Sequence, residues 1–325
     1  MKSKIIYCVI TIISLGLTTF LSAEGDAGYA GAFLRMGLGA RPKALGNAFT
    51  AVVSGTYAGY YNPGAIPRTE YSELAFNYSV LALDRRFNHI GLSIPLRPKA
   101  KAGEKAGFQA GLHLSWIHAG VDNIDGRDSN GKHIGTFSHS ENAFIFGFAL
   151  QPHSIISVGL TAKVLYSRFP GVTKEDEALT SKGLGFDLGI LVTPLPGLSA
   201  GVAIKELRSK YTWNTESVWE RGTSTYDHFP TIFRAGIAYK TLSDNLLFSA
   251  DFEKNEKQSA KVHVGVEYSI MNALSLRGGM NHNEPAFGFG YLFKVWKLDS
   301  ILDYAYIYDE IAPTGEHVIS WAFRL

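Results

Sequence analysis

"GLGFDLGILV", Gly183–Val192, alternates residue by residue: Leu184, Phe186, Leu188, Ile190 and Val192 are large and apolar, whereas Gly183, Gly185, Asp187 and Gly189 are small or charged. A period of two sends the two sets to opposite faces of one strand. The same rhythm recurs upstream, where Phe108, Ala110, Leu112, Leu114 and Trp116 interleave with Gly107, Gln109, Gly111, His113 and Ser115. A face of bulky apolar side chains backed by a face of glycine and polar groups is the pattern of a strand with lipid outside and a lumen inside.

Extending this reading along the chain gives fourteen candidate strands: 73–81, 87–96, 107–117, 142–150, 155–168, 182–193, 197–206, 231–240, 246–253, 260–269, 273–281, 286–294, 298–308 and 316–325. An even number suits an antiparallel up-and-down barrel. The connections alternate in length. Those at 151–153, 194–196, 241–245, 270–272 and 296–297 are short, while 118–141, 169–181, 207–230 and 309–315 are longer and more polar. Short turns on one side and long loops on the other are expected of a transmembrane β-barrel. The exception is 97–105, a lysine-rich connection that falls on the short side. Aromatic residues gather near strand ends, Tyr166, Tyr306 and Tyr308 toward the loops and Tyr239, Tyr268 and Phe293 toward the turns, as an interfacial girdle requires.

Composition agrees. Aromatic residues make up 13% of the 325 residues and charged ones 18%, with 34 glycines, a balance that suits a barrel better than a soluble domain. Residues 1–23 read as an export leader: Lys2 and Lys4, an apolar run from Ile5 to Leu21, and a Leu21-Ser22-Ala23 cleavage site. Cys8, the single cysteine, would leave with it, which removes thiol chemistry and disulfides from the mature chain. Taking Lys2 and Lys4 from 31 basic residues leaves 29 against 29 acidic ones, and that balance gives no reason to expect a nucleic-acid partner.

On the lumen register stand Glu73, Lys163, Asp187, Lys205, Arg234, Asp251, Glu267, Arg277, Asp299 and Asp303, of mixed sign. Such a set implies a lumen either filled with water or occupied by a segment that pairs with it. Residues 24–69, glycine-rich and without strand periodicity, are long enough to be that segment; we place this plug on the short-turn, periplasmic side, with the barrel proper at 70–325. Within it, Asn62-Pro63-Gly64 reads as a turn: Pro63 fixes one φ, Gly64 supplies a permissive one and Asn62 bonds the local backbone. Tyr57, Tyr60 and Tyr61 would pack that turn on the inner wall, their hydroxyls kept for lumen partners.

"GLGARPKALGNAFTAVVSGTYAGYYNPGAI", Gly37–Ile66, resembles the N-terminal hatch signature of the FadL-like outer-membrane proteins, and within them the PorV/PorQ branch. The matching positions are Ala40-Arg41, Leu45-Gly46, Ala48-Phe49, Ala51-Val52 and Tyr60-Tyr61-Asn62-Pro63; Gly64 stands where alanine is usual. The resemblance implies an outer-membrane barrel closed by a hatch, with Arg41, Gly46, Phe49, Tyr60, Tyr61, Asn62, Pro63 and Gly64 as the candidate gate. It implies passage of hydrophobic compounds such as long-chain fatty acids, with release sideways through the wall. A PorV-like barrel serving type IX protein secretion is the alternative. Expected partners are outer-membrane lipid, the barrel-assembly machinery, and either a hydrophobic ligand or secretion-system proteins.

Four further features stand out. Tyr211, Trp213, Trp219 and Tyr226, in the longest connection, form a candidate external capture loop, or pack on one another. Pro95 is a candidate irregularity in the wall, because proline withholds a ladder hydrogen bond, or simply a strand terminator. Asp122, Asp125, Asp128 and Asn130 invite a calcium reading but lack the EF-hand spacing and closing glutamate, so no metal or cofactor is expected. His113 and His263 read as lumen hydrogen-bonding groups; no nucleophile motif accompanies them, and no enzymatic activity is expected.

Overall fold

The structure is a computed structural model that describes residues 28–325 except 54, 99–107, 172–177, 217–220, 242, 244, 272 and 309–313. Its strands are β1 Glu73–Val80, β2 Arg85–Leu96, β3 Gln109–Arg127, β4 His133–His153, β5 Ile156–Phe169, β6 Leu179–Leu195, β7 Leu198–Leu207, β8 Lys210–Asn214 and β9 Ser224–His228. There follow β10 Ile232–Lys240, β11 Leu246–Asn255, β12 Lys261–Ile270, β13 Leu274–Asn281, β14 Glu284–Val295, β15 Leu298–Ile307 and β16 Glu316–Arg324. Each pairs antiparallel with its neighbour, β7 with β10, and β1 with β16 from Glu73 opposite Arg324 to Val80 opposite His317. The result is a closed fourteen-stranded barrel, with β8 and β9 standing outside the ring as a hairpin on β6.

Closure leaves no edge, so each ring strand finds its backbone partners on both sides, the condition for crossing hydrocarbon. The two faces are those expected from the period of two. Along β4, Phe144, Phe146, Phe148 and Leu150 are exposed, while Ala143, Ile145, Gly147 and Ala149 between them are buried. Burial therefore runs the opposite way to a soluble protein's: the bulky side chains face outward and the small ones inward.

Two long connections are more ordered than expected. The 118–141 segment is a continuation of β3 and β4 into a hairpin whose tip lies near Asp128. Beyond Val121 and before Ser140 its strands pair only with each other, because β2 ends opposite Val121 and β5 opposite Ser140. With both faces in water, no apolar alternation marked it as strand. The 207–230 connection contains β8 and β9, which at five residues each are too short to show a clear period. The lysine-rich 97–105 connection falls largely outside the described residues.

Residues 31–68 run through the barrel interior. They form a 3-10 turn at Ala32–Arg35, short helices at Ala40–Ala44 and Ala58–Tyr61, and a 3-10 helix at Pro63–Arg68. Its placement is broader than the turn-side position expected. Gly31 abuts Phe229 on the loop side, whereas Arg68 bonds Ser157, Thr193 and the Ser154 carbonyl at the turns.

Candidate functional site

The interior wall is built from glycine where the N-terminal segment touches it. A Cβ on Gly111 would fall 2.7 Å from Ile66, one on Gly147 3.0 Å from Ile66, one on Gly265 2.6 Å from the Leu45 carbonyl, and one on Gly288 2.6 Å from Ala44. Gly159, Gly189 and Gly279 stand in the same relation to Pro63, Asn62 and Gly46. These positions share the inward register; Gly159 pairs with Gly189, and Gly265 with Gly279. The small residues that looked in sequence like the polar half of an alternation are thus a seat on which backbone packs against backbone.

The candidate gate residues converge on this seat. Arg41 donates from Nε and Nη2 to the two Glu267 oxygens at 2.7 and 2.8 Å, a bidentate pair between segment and wall. Arg277 extends it, donating to Glu267 and to Asp303, both at 2.6 Å. Gly46 adopts a left-handed φ of 63°, and its carbonyl lies 3.1 Å from His263 Nδ1. Phe49 packs on Tyr61 at 5.2 Å between ring centroids, and its amide donates to Asp251 Oδ2, which also accepts from the Thr50 amide and hydroxyl. Lys43 pairs with Glu316 at 2.5 Å, and the Thr56 amide donates to Glu73.

Asn62 is the hub of the turn. Its Nδ2 donates to the Thr50 carbonyl at 2.8 Å and to the Ile190 carbonyl of β6 at 3.0 Å, while its Oδ1 accepts from Gly64 N at 2.9 Å. Pro63 opens the 3-10 helix that follows, where its missing N–H costs nothing. Gly64 needs space rather than a permissive φ: a Cβ there would meet the backbone of Ile190 and Leu191. The tyrosines also differ from expectation. Tyr60 donates to the Leu34 carbonyl, and Tyr61 accepts from Leu38 N and reaches Asn47 Oδ1, so both hydroxyls tie the segment to itself. Tyr60 also lies under the Lys205 ammonium, 3.8 Å from the ring centroid.

Nine of the ten expected lumen charges are buried inward, and several form compact groups. Lys163 bonds Asp187, at 2.8 Å, and Glu206; Arg234 reaches the Asn47 carbonyl at 2.9 Å and Glu253 at 3.1 Å. Asp299 is the exception, half-exposed at a strand end opposite Lys294. His113 lies between Ser93 Oγ at 2.9 Å and Ser115 Oγ at 3.1 Å, with Gly59 packed on its ring. No carboxylate orients it as an acyl-transfer base requires.

Pro95 does not break the wall. Its pairing with β3 runs on unshifted, Pro95 opposite Gly111 and Leu96 opposite Ala110, and on the other side β1 has already ended opposite Ser93, so no donor is missed. One pairing shift lies instead between β6 and β7, at Asp187. The external aromatics are self-packed: Tyr211 is buried, edge-on to Trp213 and Phe229, and Trp213 donates to Asp227. Tyr226 is exposed beneath the Lys210 ammonium, and Trp219 lies outside the described residues. At the β3–β4 tip Asp122 pairs with Arg86, Asp125 with His133 and Arg127, and Asp128 caps the turn through Asn130 N and Lys132 N. Hydrogen bonds from His133 and then Arg127 hold the Asp125 carboxyl below its ordinary range.

Three spaces surround the segment. A cavity of about 1270 Å³ opens at the turn side, walled by Arg41, Glu73, Glu267, Arg277 and Asp303. A space of about 20 Å³ lies on the loop side, between Leu34, Tyr60, Lys205 and Arg234. A third space, of about 330 Å³, is an apolar groove on the outer face of β2 to β5, lined by Leu92, Ile94, Leu112, Leu114, Phe146 and Phe148 and floored by Gly147.

The fold is similar to that of solved channels. The CymD monoaromatic hydrocarbon channel superposes with a TM-score of 0.59 at 12% identity, over 88% of this chain and 96% of its own. The chain shares its fold. The Pseudomonas putida toluene transporter TodX gives 0.56 at 12% identity over 88% and 96%, and a Pseudomonas aeruginosa FadL homologue 0.51 at 11% over 82% and 92%. No protein-family model matches the sequence, and no curated protein sequence matches it. At these identities the likeness is one of backbone architecture, FadL-like in its barrel.

Proposed function

We propose that this chain is an outer-membrane barrel for passage of hydrophobic small molecules, of the long-chain fatty-acid type, with residues 24–69 acting as its hatch. The observation that carries the reading is the wall at β3 and β4. From inside, Ile66 of the hatch lies directly against Gly111 and Gly147; from outside, Gly147 floors the apolar groove. The hatch and a lipid-facing groove are separated there by the β3–β4 backbone, with the His113 side chain beside it. A ligand displacing Ile66 would move into an apolar environment, at a gain of about 25 cal/mol per Å² of apolar surface kept from water. Continuing to the turn side would bring it into a cavity where Arg41, Glu73, Glu267, Arg277 and Asp303 are mixed with Val52, Leu198, Leu247 and Ile301, and the gain there is smaller. Lateral release toward the membrane therefore fits better than release through the mouth, and it requires the β3–β4 ladder, continuous from Gln109 to Val121, to part beside Ile66. The fold shared with a toluene transporter and a hydrocarbon channel supports the same class of ligand. In this reading residues 1–23 are a cleaved leader, lipid surrounds the exposed apolar face, and barrel-assembly machinery inserts the chain.

The reading is tested by uptake of a fluorescent long-chain fatty acid into proteoliposomes. Ile66→Ala, which clears the glycine window, is expected to raise the rate severalfold while a small sugar stays excluded. Equal rates in both chains would count against the lateral path.

A second reading, a PorV-like barrel that binds or shuttles secreted proteins, is favoured by one observation, the charged turn-side cavity. Its walls suit a polar protein segment better than a hydrocarbon. Co-purification of secretion-system proteins with the barrel would support it, and their absence from a membrane that carries the barrel would oppose it.

A further inference from the structure

Above Leu207 the wall changes character. β7 stays in register with β6 up to Leu188 opposite Ile204; then Phe186 faces Leu207, so that Lys205 and Glu206 both fall opposite Asp187. This is a β-bulge, and it turns two adjacent side chains inward. Glu206 has φ 61° and Arg208 φ 57°, left-handed conformations that are strained for residues bearing a Cβ. The strain is pinned from below: the Glu206 amide donates to Asp187 Oδ1 at 2.9 Å, and the buried Lys163 bonds both carboxylates. Beyond the bulge β6 exchanges β7 for β8, to which it pairs at only two positions, Ser181 with Trp213 and Lys182 with Thr212.

The underside of the β8–β9 hairpin and its connection to β10 is apolar. Tyr211 and Phe229 are buried and packed edge-on at 4.9 Å, in one cluster with Phe33 and Leu34 of the N-terminal segment. The Phe229 ring occupies the place that a side chain on Gly31 would need. Tyr211 reaches across to β4, donating from its hydroxyl to Glu141 at 3.1 Å. The hairpin is thus held to the ring by few ladder bonds, attached at a strained bulge, and seated on the start of the plugging segment.

We infer that the paired strands β8 and β9, with the Phe229 connection to β10, are a lid over the loop-side mouth, hinged at the Glu206–Arg208 bulge, and that its closure holds the start of the N-terminal segment in place through Tyr211 and Phe229. Lifting the lid removes Phe229 from Gly31 and Tyr211 from its cluster with Phe33 and Leu34, while Leu34 keeps its tie to Tyr60, so access from outside and loosening of the segment's start are one coupled event. This deepens the passage reading and rests on it for the lid's role, though not for the coupling itself.

The lid can be locked. Lys182 and Thr212 are exposed ladder partners on wall and lid. Their Cα atoms, at the roughly 4.5–5.5 Å separation of paired antiparallel residues, lie within reach of a disulfide. Lys182→Cys with Thr212→Cys, in a chain also carrying Cys8→Ser, would join them under oxidant and part them under reductant. Ser181→Cys with Trp213→Cys gives an independent lock should the first pair fail to fold. Amide hydrogen exchange is read at Leu34 and Leu38, whose N–H groups bond the Gly31 carbonyl and the Tyr61 hydroxyl. Oxidation is expected to slow both at least tenfold, with reduction restoring the rate. Exchange that ignores the lock would overturn the coupling. Uptake of the fluorescent fatty acid is measured in parallel and is expected to fall at least fivefold on oxidation; an undiminished rate would overturn the lid as a control of access. Absence of uptake in the reduced chain would tell against the passage reading, and the exchange result alone would then decide the lid.

Discussion

Gly265→Ala isolates the packing on which closure depends. Gly265 faces inward on β12 between His263 and Glu267, two residues that hold the N-terminal segment through the Gly46 carbonyl and the Arg41 guanidinium. A Cβ at this position would lie 2.6 Å from the Leu45 carbonyl oxygen and 2.8 Å from Leu45 Cβ, against 3.4 Å for ordinary contact, so Leu45 must retreat by 3.4 − 2.6 = 0.8 Å. That movement carries Gly46 off His263 and tilts Arg41 on Glu267. Overpacking costs about 1–3 kcal/mol. Weakening one neutral and one charge-assisted hydrogen bond adds about 2–4 kcal/mol. The ring is untouched, since the ladder involves backbone only, so a penalty of about 3–7 kcal/mol falls on retention of the segment. Conductance in planar bilayers and protease nicking of the N-terminal segment should both rise at least tenfold, while the barrel keeps its heat-resistant migration in detergent gels. Gly278→Ala, one strand over with nothing within 4 Å of its Cβ position, should change neither. A Gly265→Ala barrel as tight and as protease-resistant as the parent would refute the argument that glycine seats the plug.

Asn62→Ala deletes three hydrogen bonds, to Thr50, Ile190 and Gly64, and should cost about 2–3 kcal/mol in urea unfolding, with Asn62→Asp recovering only the Gly64 bond. Arg277→Met leaves Asp303 and Glu267 buried without a shared partner and should destabilise by about 3–5 kcal/mol; adding Asp303→Leu should return part of that loss. At the exposed hairpin tip, Asp125 has a folded pKa below its unfolded value, so the cluster with His133 and Arg127 is intact above the ordinary carboxylate range. It is lost as pH falls through the lowered value, and the hairpin's NMR shifts should titrate there; a midpoint at the ordinary carboxylate pKa would contradict the pairing.

Much of the ring was legible because lipid imposes a strict rule on it. Where one face meets hydrocarbon, as in Phe144, Phe146 and Phe148, alternation cannot lapse without a polar group entering lipid, and strand ends followed to within a few residues. The rule stops at the membrane boundary. Residues 122–139 have water available to both faces, and β8 and β9 are only five residues each, so neither stretch carried a lipid-facing alternation long enough to separate it from loop. The plug was visible as a glycine-rich stretch without periodicity, but its span from Gly31 at the loop side to Arg68 at the turns was not, since length alone does not say where a segment lies. Arg41 and Asn62 could be named from a resembled motif. Their partners lie more than a hundred residues away: Glu267 carried only the signal of an inward register, and Ile190, which faces outward, takes part through its backbone carbonyl and carried no signal at all. Likewise, the glycines of β3 to β6 read as small residues of an alternation, and their meaning appeared only once Ile66, Pro63 and Asn62 were seen against them. Pro95 misled because proline signals a missing donor, and at the end of a strand no donor is required.

The central claim is passage of hydrophobic molecules past a hatch that moves. It is tested most directly by following a fluorescent long-chain fatty acid into liposomes that contain the folded barrel, with empty liposomes as the baseline. Saturable uptake above that baseline, faster in Gly265→Ala and unchanged in Gly278→Ala, is the expected result. A heat-resistant, correctly folded barrel that admits no more fatty acid than bare lipid, whether or not its hatch is loosened, would contradict the account.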